Sequence, residues 1–255
     1  MPSQLKDLAG SAISSIFFLS NFWFFITDNY FAEESLLKPL LHTWSLSIEE
    51  QFYLIFPPLI YFLYKNNLRY TKLLFFSLIL GSLLFSSLGS VYFSNLNFYM
   101  LPSRIWELGV GIFLAYHHVN QKIVVKKTFN NLILFLAIAF IILPLIFFNS
   151  STPHPSILTS FTVIGTAIII FYNTENCIIK NILSSKLFVG TGLISYSLYL
   201  WHYPIFAFLK INIYNFSNLE KIYVILISIC FSIITYFLIE KPFRQKKVLK
   251  LKSFL

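Results

Sequence analysis

The sequence predicts an all-α fold, a polytopic helix bundle integral to a membrane. Three observations predict it. The chain is 57% hydrophobic and 11% charged, whereas a soluble domain carries about a quarter charged residues. Eight apolar runs each approach the roughly 20 residues that a helix needs to cross a bilayer. Lysines and arginines gather in alternate connections between these runs, the distribution that marks cytoplasmic loops.

The runs cover residues 8–26, 44–64, 73–93, 104–118, 132–148, 157–172, 188–208 and 223–240. The first follows Lys6, as a signal peptide would, but its apolar stretch is long and lacks a small-residue cleavage site. A retained helix is expected there. Lys65, Arg69 and Lys72 follow the second run, Lys122, Lys126 and Lys127 the fourth, and Lys180 and Lys186 the sixth. The connection after the first run is acidic instead, through Asp28, Glu33 and Glu34. An even number of spans with both termini cytoplasmic satisfies this alternation. Residues 1–244 then form one membrane domain, and 245–255 form a basic cytoplasmic tail.

The net charge of +9 lies mostly in those loops and that tail, where it suits anionic lipid headgroups. A nucleic-acid partner is not expected. Thirty Phe and fifteen Tyr fit lipid-facing surfaces and interfacial belts. Cys177 and Cys230 do not make a disulfide scaffold. No zinc, dinucleotide or P-loop string is present, so neither a metal nor a bound cofactor is expected.

Three places bring ionisable groups to one face of the membrane. The second run opens on His42-Thr43-Trp44-Ser45-Leu46-Ser47-Ile48-Glu49-Glu50-Gln51. At 100° per residue His42, Ser45 and Glu49 share a helical face, while Gln51 points away from it. Pro57-Pro58 follows and is expected to kink the helix and free carbonyls in mid-membrane. The fourth run opens on Pro102-Ser103-Arg104-Ile105-Trp106-Glu107-Leu108-Gly109-Val110-Gly111. There Arg104 and Glu107 can pair at i,i+3, Pro102 or Ser103 can start the helix, and Gly109 and Gly111 permit close packing. The seventh run ends on Ser195-Tyr196-Ser197-Leu198-Tyr199-Leu200-Trp201-His202-Tyr203-Pro204. Ser195, Tyr199 and His202 share a face.

Each place has a plain structural reading: a helix cap, a snorkelling arginine, an aromatic belt. Their convergence on one membrane face favours a site, because intramembrane ionisable groups usually line one. His117, His118 and His154 read as interfacial or loop residues. Glu240 reads as a clasp to Lys241 or Arg244.

The segment from His42 to Leu54 closely resembles the long signature of the acyltransferase 3 family, membrane enzymes that O-acylate extracellular glycans. Arg104-Ile105-Trp106-Glu107-Leu108 resembles its arginine-tryptophan-glutamate element. Ile194 to His202 and Ile239 to Arg244 resemble its last two landmarks, in the family's order. The resemblance extends over essentially the whole chain. The family's earlier helices, with an arginine and a histidine thought to be catalytic, have no counterpart, so the membrane domain is expected to be N-terminally incomplete. Those helices, or a separate hydrolase-like domain, are then possible partners.

The resemblance implies acyl transfer, with acetyl-CoA or another acyl-CoA as donor substrate, to a sugar hydroxyl across a bacterial inner membrane. Lipopolysaccharide, capsule and peptidoglycan all remain open as acceptor. A hydroxyl acceptor needs a base oriented by a carboxylate, and the developing oxyanion needs donors. His42, Glu49, Arg104 and Glu107 are the catalytic candidates on this reading. Ser45, Glu50, Tyr199 and His202 are the substrate-binding candidates. A transporter, or an inactive fragment or partner subunit of such an enzyme, are the alternatives.

Overall fold

The computed structural model describes residues 3–27, 37–65, 71–120, 127–149, 151–172, 178–212 and 217–244. Asp28, Glu33, Glu34, Arg69, Lys122, Lys126, Cys177 and the tail from 245 to 255 lie outside the described residues. Within them the regular structure is helical throughout, with no strand. Two stretches are long and apolar enough to cross a membrane, Leu73–Tyr92 and Asn218–Arg244. Both turn most of their side chains outward. Leu84, Leu88, Val91, Ile225, Leu226 and Leu238 are all exposed, an extent of outward apolar surface that monomeric soluble proteins rarely show. Ile105–Ala115, Asn131–Phe147 and Ile157–Tyr172 are apolar helices of shorter length.

The first apolar run does not form one helix. It breaks into α1 (Ser3–Ile16) and α2 (Ser20–Thr27), and Phe18 at the break has φ 55°, in the left-handed region that a bulky residue seldom enters. The break is tied to α3 (Thr43–Lys65). Gln51 Nε2 donates to the Phe18 carbonyl at 2.9 Å and to Asn21 Oδ1 at 2.8 Å. Ser47 accepts from the Ser20 amide at 3.2 Å and shares a 2.7 Å hydroxyl contact with it. The amide and hydroxyls of α3 thus satisfy polar groups that a hinge would otherwise bury unpaired. Hydropathy registers only that the run is apolar, so it misses this hinge.

Helix α3 divides its first turns among three neighbours. Thr43, Ser47 and Gln51 face the hinge. Trp44 and Ile48, at i and i+4, enter the main core with Phe24, Leu41, Phe98 and Tyr99. His42 and Ser45 face the next-to-last long helix. Pro57 and Pro58 lie inside α3, which continues through them as helix to Lys65.

Helix α4 (Thr71–Tyr92) leads into the short α5 (Ser94–Tyr99), a 3₁₀ turn at Leu101–Ser103, and α6 (Ile105–Asn120). Ser103 does not cap α6 as the sequence allowed. It lies in the 3₁₀ turn, and its hydroxyl donates back to Met100 O at 2.7 Å and to Asn97 O. Ser82 of α4 sets the entry to α6, donating to Pro102 O at 2.6 Å and accepting from the Trp106 amide at 3.1 Å. Of the two glycines, Gly109 packs closely, its hypothetical Cβ lying 2.7 Å from Ile79. Gly111 faces open space.

Helices α7 (Lys127–Phe147) and α8 (Ser160–Tyr172) form the tightest pair. The short α9 (Ile178–Leu183) precedes α10 (Lys186–Asn212). Helix α11 (Asn218–Thr235) packs along α10 and runs through a π turn at Tyr236–Glu240 into α12 (Lys241–Arg244). Trp201 donates to Thr235 Oγ1 at 2.8 Å and stacks on Phe231. Glu240 pairs with Arg244 at 3.2 Å and accepts from Ser197 at 2.8 Å. The clasp expected within the chain's end therefore also reaches across to α10.

Candidate active site

The chain enters α3 through successive tight turns, with Leu41, Thr43, Trp44 and Ser45 amides each donating three residues back. These turns present His42 at the helix entrance with 7% of its surface exposed. Its ring is surrounded by three others from α10. Tyr203 stacks on it at 5.3 Å, and Tyr199 and His202 meet it edge-on at 5.1 and 5.7 Å. Neither ring nitrogen of His42 has a hydrogen-bond partner among the described residues. A buried polar side chain in that condition is rare unless a ligand or catalytic role accounts for it.

Tyr199 joins the two helices. Its hydroxyl reaches the His42 carbonyl and lies 2.5 Å from Ser45 Oγ. Tyr199→Phe removes this tie and the strongest donor to the His42 carbonyl, which keeps the Ser45 amide at 3.3 Å. A stability loss of about 1 kcal/mol is expected, read as a lower unfolding midpoint. An unchanged midpoint would show that the hydroxyl is not bonded there.

Burial, and secondarily the nearby His202, lower the His42 pKa from 6.5 to about 4. The folded protein thus binds fewer protons than the unfolded chain between those values. The stabilising effect of the neutral ring is complete above pH 6.5 and is lost as pH falls through 4. Thermal unfolding followed from pH 7 to pH 4 is expected to show a larger fall in midpoint than in His42→Phe, where His154 still charges. Equal pH dependence in the two proteins would refute it.

Arg104 and Glu107 form a second cluster beside the first. The guanidinium donates to Glu107 Oε2 at 3.2 Å and to the Phe98 carbonyl at 3.3 Å. It lies 4.7 Å from the centre of the Trp44 ring and 5.2 Å from that of Phe98. Trp44, two residues after His42, is therefore the link between the clusters. His154 completes the second one, its ring 6.0 Å from Phe98. Partial desolvation and then the Arg104 charge lower its pKa to about 4, although the residue keeps solvent access. Asn97 holds this loop in place by donating to Pro155 O at 2.8 Å.

Of the eight candidates, the structure brings His42, Ser45, Tyr199 and His202 together and sets Arg104 and Glu107 beside them. Glu49 is exposed and Glu50 half-buried, and neither forms a hydrogen bond or ion pair with the described residues. Ser195 shares a face with Tyr199, yet among the described residues its hydroxyl bonds only to Gly192 O. Sequence reading missed Tyr203 and His154. Tyr203 was legible as the residue four after Tyr199. His154 was not, because a loop between two prolines carries no periodic signal.

Beyond these clusters, Glu107 also heads a cavity of about 280 Å³ between α6 and α8, lined by Val110, Gly111, Leu114, Thr162 and Thr166 among others. No group of three or more His, Cys, Asp or Glu side chains able to hold a metal occurs among the described residues.

Comparison with known proteins bears on this arrangement. A family model described as an acyltransferase domain matches residues 8–240. The O-acetyltransferase OatA of Staphylococcus aureus (strain NCTC 8325 / PS 47) is 31% identical over 265 residues, covering 96% of this chain and 43% of that protein. A Staphylococcus aureus (strain COL) protein with a provisional O-acetyltransferase name is 33% identical over 267 residues, covering 92% of this chain and 41% of its own length. The chain thus spans less than half the length of these curated relatives. No solved structure matches it. With the match running through both clusters and nearly from end to end, the chain belongs to the acyltransferase 3 family.

Proposed function

We propose that the chain is the membrane part of an O-acyltransferase. It moves an acyl group, by preference acetyl, from a cytoplasmic acyl-CoA to a hydroxyl of an extracytoplasmic glycan. The observation that carries this reading is His42, buried with both ring nitrogens unpartnered among the described residues, beside His202 and Tyr199. Two imidazoles and a phenol suit proton transfer from a hydroxyl acceptor. His42 and Glu49 take an acid–base or orienting role, the latter from its helical position alone. Arg104, held by Glu107, stabilises developing charge, and Ser45, Glu50, Tyr199 and His202 line the acceptor side.

Membrane spans with a cytoplasmic carboxyl terminus, in a bacterial inner membrane, fit this chemistry. The outward apolar faces of Leu73–Tyr92 and Asn218–Arg244 support a lipid environment. The test is acetyl transfer by the full-length protein in proteoliposomes supplied with acetyl-CoA and a glycan. His42→Ala and Glu49→Gln are each expected to lower the rate about 100-fold or more. Undiminished transfer in both variants would end the assignment. Glycan flux without ester formation would instead identify a transporter.

A further inference from the structure

We propose that residues 3–27 form a re-entrant hairpin: the chain enters the membrane from the side that holds His42, turns at Phe18 and returns to that side without crossing. This goes beyond the acyl-transfer reading and stands independently of it. It replaces the expectation that the first apolar run is a span. Seven of the eight apolar runs then cross, with Ser3 on the His42 side and Arg244 on the cytoplasmic side.

The two limbs lie side by side. A Cβ on Gly10 in α1 would fall 2.2 Å from the Trp23 ring of α2, although in one continuous helix these residues stand about 20 Å apart along the axis. The far ends of the limbs meet at one side chain. Lys38 Nζ lies 3.4 Å from Asp7 Oδ2 and donates to the Thr27 carbonyl at 3.5 Å. A straight helix would separate Asp7 from Thr27 by about 30 Å, the full hydrocarbon thickness. Neither limb is long enough to cross alone. Helix α1 has 14 residues and α2 has 8, about 21 and 12 Å at roughly 1.5 Å per residue.

Helix α3 sets the depth of the hairpin. Thr43, in its first turn, bonds both limbs, to Ser15 Oγ at 2.8 Å and to Ser20 Oγ at 3.0 Å. Gln51, two turns further in, holds the tip through the Phe18 carbonyl, and Asn21 donates to the Tyr99 carbonyl at 3.1 Å. The tip thus reaches no further than the level of Gln51, about 12 Å past Thr43 and less than half of the hydrocarbon core. Backbone that leaves the helix at membrane depth survives only where protein satisfies it, as these contacts do. The side follows from α3, because Lys65, Arg69 and Lys72 mark its far end as cytoplasmic. Asp7, Thr27 and Lys38 therefore lie at the opposite face, with His42.

Two measurements on the full-length protein in its own cells, with the native cysteines replaced, test this. Gln4→Cys is expected to react with a membrane-impermeant maleimide in intact cells, as Ser151→Cys does in the loop that carries His154. Ser184→Cys, between Lys180 and Lys186, is expected to react only after permeabilisation. The pair Asp7→Cys and Lys38→Cys is expected to be joined within one chain by a short bismaleimide, read as a cross-linked peptide by mass spectrometry. A crossing helix would hold these two residues on opposite faces, beyond the reach of the linker. Protection of Gln4→Cys in intact cells, or a pair that is not joined, overturns the hairpin. Neither measurement reads acyl transfer, so the hairpin and that reading fail separately.

Discussion

Arg104→Met is expected to destabilise the protein by about 3 kcal/mol, the lower end of what breaking a buried ion pair costs. The guanidinium is enclosed by the Trp44 and Phe98 rings and bonded to Glu107 and the Phe98 carbonyl. Removing it leaves the Glu107 carboxylate, 22% exposed, without its counter-charge. Arg104→Lys is expected to fare little better, because one ammonium cannot lie flat between two rings and reach both oxygens. The double variant Arg104→Met with Glu107→Leu is expected to recover most of the loss, since an apolar pair needs no solvation. Unfolding midpoints in detergent decide the matter. A single variant as stable as wild type would show that the pair is not buried as described.

The second large effect is expected at Gly165. A Cβ there would lie 2.6 Å from the backbone carbonyl oxygen of Ala137, 3.0 Å from Phe140 and 3.1 Å from Ile141. Ala137 is fully buried, so its carbonyl can retreat only if α7 moves as a whole. Gly165→Ala gains up to about 1 kcal/mol of helix propensity, while overpacking of this kind costs about 1–3 kcal/mol. The net expectation for alanine is a modest loss, and for Gly165→Val a larger one. Gly111→Ala is the contrast, because nothing lies within 4 Å of its Cβ position. There the propensity gain is unopposed, and stability is expected to hold or rise. Unfolding midpoints of the three variants check the order. Gly165→Val as stable as Gly111→Ala would mean that α7 and α8 do not approach so closely.

Of the site itself, the parts written along one helix were legible in the sequence. Arg104 and Glu107 pair as their i,i+3 spacing predicts, and Tyr199 and His202 share the face that their spacing assigns. Glu49 marks the limit of this reasoning. Periodicity places it with His42 and Ser45, but His42 precedes the helix and its ring turns toward α10, which leaves Glu49 exposed. The partners of Arg104 show the same limit from the other side. Trp44 precedes it by 60 positions, and His154 follows by 50 on a loop, so no local pattern relates them.

The sequence by itself determined the all-helical class and, through its resemblance to the family's motifs, the family. Composition suffices for the class and contiguous motifs for the family, because each depends on residues within a few turns of one another. The tertiary structure alone decided the hinge at Phe18, the polar seam that holds it and the continuous passage of α3 through Pro57 and Pro58. These depend on which helix faces meet, and meeting faces are set by packing between segments far apart in the chain.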